Sequence, residues 1–72
     1  MIAKTIEAEA KRLATIGYPL LSRLILDSLK KGDNRATSLT MLRACGILER
    51  GRQWSEMQKL NRLASALAKE KQ

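Results

Sequence analysis

Apolar residues recur every three or four positions through most of the chain, which is the spacing of one face of an α-helix. Between residues 2 and 16 this spacing produces a stripe of four apolar side chains: Ile2, Ile6, Ala10 and Leu13. Glu7 and Lys11 stand four positions apart on the opposite side, with the acid first, which favours a surface ion pair. Residues 2–16 are therefore predicted to form an amphipathic helix.

The second apolar stretch, residues 19–31, leaves only a narrow polar strip, which is typical of a central helix covered on more than one side. Its core positions are predicted to be Leu24, Ile25 and Leu29. Before it, Gly17 can close the first helix in the left-handed conformation, and Pro19 suits a first helical turn. After it, Gly32 and Asp33 can end one helix and cap the next at once. The second and third helices are therefore predicted to form a tight helical hairpin.

The third helix is predicted over residues 34–45, where Gly46 ends it, and the fourth over residues 55–69. The apolar face of the third helix is predicted to be Leu39, Met41, Leu42 and Cys45. Ser55 followed by Gln58 matches a capping pair at the start of the fourth helix. One arc of that helix carries its apolar side chains: Met57, Leu60, Leu63, Ala64 and Leu67. The charged residues 69–72 are predicted to fray.

No stretch alternates apolar and polar residues as a half-buried strand does. The predicted fold class is all-α: a small single-domain bundle of about four helices with a central apolar helical hairpin. A chain of 72 residues buries only about 60% of its unfolded surface, and this one has no Phe, one Trp and one Tyr. Because bulky core residues are scarce, self-association is expected, most simply as a homodimer through the first or the last helix.

The charge is strongly positive, since 14 Lys and Arg face 7 Asp and Glu, giving a formal net charge of +7. Such an excess favours a polyanionic partner, and a charge that merely keeps the protein soluble is the alternative. No apolar run of about 18 residues and no signal segment occurs, and the single Cys45 cannot form an intramolecular disulfide. We therefore expect a cytoplasmic protein without membrane contact.

Catalytic and metal-binding chemistry lack the residues that they need. Without His, and with one Cys, neither an ordinary metal cluster nor a Ser–His or Cys–His nucleophile pair can be assembled. Acids such as Glu7, Asp27 and Glu56 have a basic residue three or four positions away, which favours surface ion pairs over acid–base catalysis. No enzyme activity, cofactor or metal is expected.

A basic surface is predicted on the last helix and the loop before it. It consists of Arg50, Arg52, Lys59, Arg62 and Lys69. Basic side chains along a helix face can follow phosphates, and Arg can also contact guanine edges. The acids Glu49, Glu56 and Glu70 interrupt this positive charge. The competing interpretation is therefore a solvent-exposed helix face that carries ion pairs. Trp54 is a candidate for base stacking or for an interface, with packing over the core edge as its structural alternative.

Residues 37–62 also suggest a helix-turn-helix, in which one helix ends at a glycine and the next enters the DNA major groove. Gly46 and Ile47 stand in the appropriate order, but Arg52 occupies a place where that motif needs a core residue. An ordinary helical hairpin ended by Gly46 is the alternative.

Charge, helical pattern and absent catalytic residues together predict a small basic nucleic-acid-binding regulatory protein of phage, plasmid or bacterial type. DNA is the favoured ligand, and RNA stays open. The alternative is a protein-interaction module, an adaptor or inhibitor of a larger complex, that binds through an apolar helix face. Its mark would be an exposed apolar patch around Tyr18, Met41 and Trp54.

Overall fold

A computed structural model describes residues 2–70 of the chain, and the predicted fraying of residues 71 and 72 lies outside them. The described residues form four helices and no strand: α1 (Ile2–Thr15), α2 (Pro19–Lys31), α3 (Asn34–Arg50) and α4 (Trp54–Lys69). Consecutive helices pack against each other, and α1 also packs against α4. The helices thus close a ring around one core as an up-and-down bundle, which confirms the predicted all-α fold class.

The first two turns follow the sequence prediction. Gly17 and Gly32 both have positive φ, at 102° and 78°, and Pro19 begins α2. The Gly32 N–H donates to the Leu29 carbonyl at 3.1 Å, while Asp33 Oδ1 accepts the Ala36 N–H at 3.0 Å. One residue closes α2 and the next caps α3, so the tight hairpin turn is confirmed.

The predicted end of α3 at Gly46 is wrong, because the helix continues for another turn to Arg50. Glycine inside a helix costs about 1 kcal/mol relative to alanine. The longer helix offsets that cost by placing Leu48 in the core, where it is fully buried. Gly51 ends the helix instead, and Arg52 follows with a positive φ of 59°.

The start of α4 also differs slightly from the prediction. The helix begins at Trp54, with Gln53 as its N-cap residue, and no side chain hydrogen-bonds to the cap. Ser55 lies inside the first turn, so the predicted capping pair with Gln58 does not form.

All four helices contribute to the core, which consists of Ile6, Ala10, Leu13, Leu21, Ile25, Met41, Ala44, Cys45, Leu48, Leu60, Ala64 and Leu67. The prediction that α2 is the central helix holds only in part. Ile25 is fully buried, but Leu29 is half-buried and Leu24 is 46% exposed. The stripes of α1 and α4 both pack inside one subunit, and the expected homodimer through either helix stays a prediction.

The buried face of α3 matches the prediction only in part, because Met41 and Cys45 are buried as predicted but the two leucines are not. Leu39 and Leu42 are exposed, whereas Thr37 and Ser38 face the interior. These hydroxyls can be buried because each donates a hydrogen bond of 2.8 Å to a backbone carbonyl, Thr37 to that of Asp33, which caps α3, and Ser38 to that of Ala64 on α4. Small polar side chains with internal partners therefore fill a face for which the sequence pattern predicts leucines.

A close contact between turns leads to the first prediction. A Cβ added to Gly51 would collide with the Tyr18 hydroxyl, while the ring carbon behind it lies at an ordinary 3.5 Å. Gly51→Ala should therefore destabilise the fold by roughly 1 to 3 kcal/mol, and Tyr18→Phe should restore most of that loss. Denaturant unfolding measures both effects.

The matched control is Gly46→Ala, since nothing lies within 4 Å of a Cβ at that position. There the change should stabilise the fold by about 0.5 to 1 kcal/mol, because alanine is the better helix former. Equal effects of the two alanines would refute the contact between Tyr18 and Gly51.

Candidate nucleic-acid interface

The described surface is more basic than the composition suggests. All 13 Lys and Arg among residues 2–70 are exposed, but only five of the seven acids are. Glu9 and Glu56 are buried, with exposed fractions of 9% and 6%. Folding thus removes two negative charges from the surface and no positive ones.

The structure brings two of the predicted basic residues together. Lys59 and Arg62, one turn apart on α4, line a shallow depression against α1 that also includes Thr5. Lys69 lies two turns further along the same helix, about 10 Å beyond Arg62. None of these three side chains forms an ion pair within residues 2–70.

The other two predicted residues lie elsewhere. Cys45 faces α4, because its thiol donates to the Met57 carbonyl at 3.5 Å. Arg50 follows five residues later in the same helix, so it points about 140° away from Cys45 and from α4. Arg52 lies in the turn between the helices. The five predicted residues therefore do not share one surface.

Helix α1 supplies a basic residue that the sequence reasoning missed. Arg12 Nε donates to Glu56 Oε1 at 2.9 Å, and this contact joins α1 to α4 across 44 positions of sequence. Ala8 and Thr5 lie one and two turns, respectively, before Arg12 along the same side of α1. We call this surface the α1–α4 face: Arg12, Lys59 and Arg62, with the small side chains Thr5 and Ala8 beside them. Arg12 belongs to this surface only because α1 packs against α4, and no local sequence pattern shows that packing.

Two acids lie under this face. Glu56 was expected to pair on the surface of its own helix, but it is buried and its charge is balanced by Arg12, whose side chain stays 56% exposed. Glu7 and Lys11, in contrast, form the predicted surface pair at 3.2 Å. In Glu9 and Glu56, the Oε2 atoms are buried and receive no hydrogen bond from residues 2–70. A proton on Glu9 supplies the missing donor, because a protonated carboxyl can donate to a neighbouring carboxylate.

The pKa values of the two carboxyls move apart accordingly. Burial, followed by the hydrogen bond and the negative charge of Glu56, raises the pKa of Glu9 from 4.5 to about 7. Hydrogen bonds with Glu9 and then Arg12 lower the pKa of Glu56. Glu9 therefore titrates near neutral pH directly beside Lys59.

The helix-turn-helix prediction is wrong. Helices α3 and α4 pack along their length, from the Cys45–Met57 contact near the turn to the Ser38 hydroxyl on the Ala64 carbonyl, 26 positions apart in sequence. A helix-turn-helix crosses at a steep angle and contacts mainly near its turn. The two helices instead form an ordinary antiparallel hairpin, with Gly46 inside α3.

Trp54 is exposed at the start of α4 rather than packed over the core edge. The apolar patch predicted around Tyr18, Met41 and Trp54 is also wrong, because Met41 is fully buried and Tyr18 is half-buried. Trp54 therefore stands alone as an exposed aromatic side chain in residues 2–70.

Comparison with protein-family models, curated proteins and solved structures finds no match to this chain. Within residues 2–70, no helix has the length and apolar character to cross a membrane. The same residues contain no group of three His, Cys, Asp or Glu side chains placed to hold a metal ion.

The buried carboxyl pair leads to the second prediction, on stability. Because folding raises the pKa of Glu9, the folded state holds its proton more tightly than the unfolded state does. The stability associated with protonated Glu9 is fully present below pH 4.5 and is lost as the pH rises to about 7. Glu9→Gln should therefore stabilise the protein at pH 8, by roughly 1 to 3 kcal/mol, since one pKa unit corresponds to about 1.4 kcal/mol.

Denaturant unfolding at pH 5 and pH 8 measures this difference, which should shrink at the lower pH. Glu7→Gln is the matched control, because Glu7 is exposed on the same helix and only its surface pair is lost. That control should change stability by about 0.5 kcal/mol or less at both pH values. A Glu9→Gln variant less stable than wild type at pH 8 would contradict the assignment.

Proposed function

We propose that this protein is a small nucleic-acid-binding regulatory protein of the cytoplasm that contacts phosphates through the α1–α4 face. It acts by binding, without catalysis or a cofactor. The observation that carries the proposal is the charge of the surface: every described Lys and Arg is exposed, while two of the acids are buried.

The shape of the α1–α4 face supports backbone contacts. Its three cations are exposed, and the acids between them, Glu9 and Glu56, are buried below. Thr5 and Ala8 are short, so a nucleic-acid backbone can approach closely enough for Arg12 and Arg62 to donate to phosphate oxygens.

Duplex nucleic acid is the favoured ligand, with DNA ahead of RNA as the first to test. Proteins that hold single strands stack successive bases on aromatic side chains. Residues 2–70 expose a single aromatic side chain of that kind, Trp54, which lies at the start of α4. Phosphate contacts do not need such a platform.

The third prediction tests the face directly by polarisation titration with random duplex DNA at two salt concentrations. Three phosphate contacts predict a log-affinity against log-salt slope of about −2.7, and Arg62→Ala should reduce its magnitude by about one. The double change Lys59→Glu and Arg62→Glu should weaken binding at least tenfold, because it adds repulsion at the phosphates.

The matched control carries the same change of charge elsewhere. Arg23→Glu with Arg35→Glu alters exposed residues of α2 and α3 and should weaken binding less than threefold. Circular dichroism checks that both variants stay helical. Equal losses would mean that net charge alone drives binding, and wild type without salt-sensitive binding to duplex DNA or RNA at low ionic strength would overturn the proposal.

The fourth prediction concerns pH. The chain has no His, and burial raises the pKa of the Cys45 thiol, so Glu9 is the side chain expected to titrate near neutral pH. Its ionisation places a negative charge beside Lys59, where the opposite charges of Glu56 and Arg12 also act. Affinity for duplex DNA should therefore fall from pH 6 to pH 8, by roughly twofold to tenfold.

The same titration with Glu9→Gln should show no such fall, because its amide stays neutral. Glu7→Gln, exposed on α1 and away from the face, should keep the wild-type pH dependence. A pH dependence that survives Glu9→Gln would assign the effect to another group.

A further inference from the structure

Six large apolar side chains are exposed among residues 2–70, and none of them is on α1: Leu20, Leu24, Leu39, Leu42, Ile47 and Trp54. Two of them, Leu20 and Leu24, lie one turn apart on α2 and are 65% and 46% exposed. Single exposed leucines are common on protein surfaces, but neighbouring ones that form a contiguous apolar patch mark an interaction site.

Leu20 and Leu24 lie along the junction of α2 with α3. Ser28 of α2 shares a hydrogen bond of 3.4 Å with Thr40 of α3, which fixes the alignment of these antiparallel helices. Ile47 follows Thr40 by two turns on the same side of α3. Since α2 runs back over the same distance from Ser28, Ile47 is level with the segment between Leu20 and Leu24. Three aliphatic side chains thus line the outer side of one helix junction.

Arginines flank this junction. Arg23 lies beside Leu20 in a shallow depression, and Arg43 stands one turn from both Thr40 and Ile47 on α3. Both arginines are exposed and form no ion pair within residues 2–70. Asp27, which is exposed, stands one turn after Arg23 on α2 but forms no ion pair with it within residues 2–70. We call the surface the α2–α3 groove: Leu20, Leu24 and Ile47, flanked by Arg23 and Arg43.

We propose that the α2–α3 groove binds an amphipathic helix of a partner protein, whose apolar side is flanked by Asp and Glu. Two antiparallel helices present a groove into which the side-chain ridge of a third helix can pack. The one-turn spacing of Leu20 and Leu24 matches the repeat of apolar anchors along such a helix. Arginine beside apolar residues is also the composition that protein interfaces favour, whereas lysine is depleted there.

Charge complementarity selects this occupant over the alternatives. A second copy of the chain seated through the same surface would place four arginines in one interface, which repels. Lipid-binding helices carry a continuous apolar face with Trp or Phe, whereas the groove offers three aliphatic side chains from two helices. An acidic helix satisfies both the apolar side chains and the arginines.

The test uses the full chain and a synthetic peptide of about four helical turns, with Leu on one side and Glu beside it. A scrambled peptide of the same composition is the peptide control. Isothermal titration should show binding of the amphipathic peptide at least tenfold tighter than of the scrambled one. Leu24→Glu should weaken binding at least tenfold, because it removes an anchor and repels the acidic flanks.

Leu39→Glu is the matched control, since Leu39 is 52% exposed on α3 and lies outside the groove. It should leave peptide affinity within twofold of wild type. A charge swap tests the same surface if Leu24→Glu unfolds the protein. The double change Arg23→Glu and Arg43→Glu should abolish binding of the acidic peptide. It should instead bind a peptide in which Lys replaces Glu.

Three results would overturn the proposal. The first is equal binding of the amphipathic and scrambled peptides, or an equal loss with Leu39→Glu. The second is self-association in sedimentation equilibrium that Leu24→Glu abolishes, which would make a second copy the occupant. The third is binding to vesicles of anionic phospholipid that Leu24→Glu abolishes, without any binding of the peptide. Because the DNA-binding variants alter α4, failure here leaves the proposed function untouched.

Discussion

The contact between α1 and α4 determines both how the bundle closes and where its positive charge lies. Arg12 reaches across this junction to Glu56, whose side chain is 8% exposed. Such a carboxylate needs a charged donor, since an unpaired buried charge would cost several kcal/mol. Glu9 completes the arrangement by keeping a proton near neutral pH. The polar groups that join the first and last helices therefore also remove two acids from the surface.

The second constraint is the shortage of large side chains. The core contains three alanines, Ala10, Ala44 and Ala64, and the hydroxyls of Thr37 and Ser38 extend it on α3. Small residues let helices approach closely, and internal hydrogen bonds make the buried hydroxyls tolerable. A core built this way has no room for every leucine in the chain, and several of them lie on the outer sides of α2 and α3.

The fold could be predicted from sequence where the deciding interactions are local. The turn at Gly32 and Asp33 depends on one left-handed residue and one capping side chain, both visible in the sequence. At Gly46 the local preference for a helix end is worth only about 1 kcal/mol, and burial of Leu48 outweighs it. On the buried face of α3, Met41 and Cys45 were predicted, but Ser38 was missed because its partner, the Ala64 carbonyl, lies on another helix.

The candidate site, too, could be predicted from sequence only where local interactions determine it. Lys59 and Arg62 are one turn apart in sequence, so their shared face is a local property that helical periodicity predicts. Arg12 joins them only through a contact 44 positions away. Arg50 was placed with the wrong group because its position depends on α3 continuing past Gly46. Tertiary packing therefore determined which basic residues share a surface.

The two proposed binding surfaces lie on different helix pairs, and their separation determines how far they influence each other. Both ligands are anionic, so each one reduces the attraction that the protein exerts on the other. The bundle is 18 Å across, whereas the Debye length at physiological ionic strength is about 8 Å. Over that distance most of the interaction between exposed charges is screened. The α1–α4 face and the α2–α3 groove should therefore bind almost independently at physiological salt and compete only at low salt. At low salt the whole net charge of +7 attracts each ligand, so binding of one anionic ligand weakens the attraction for the other.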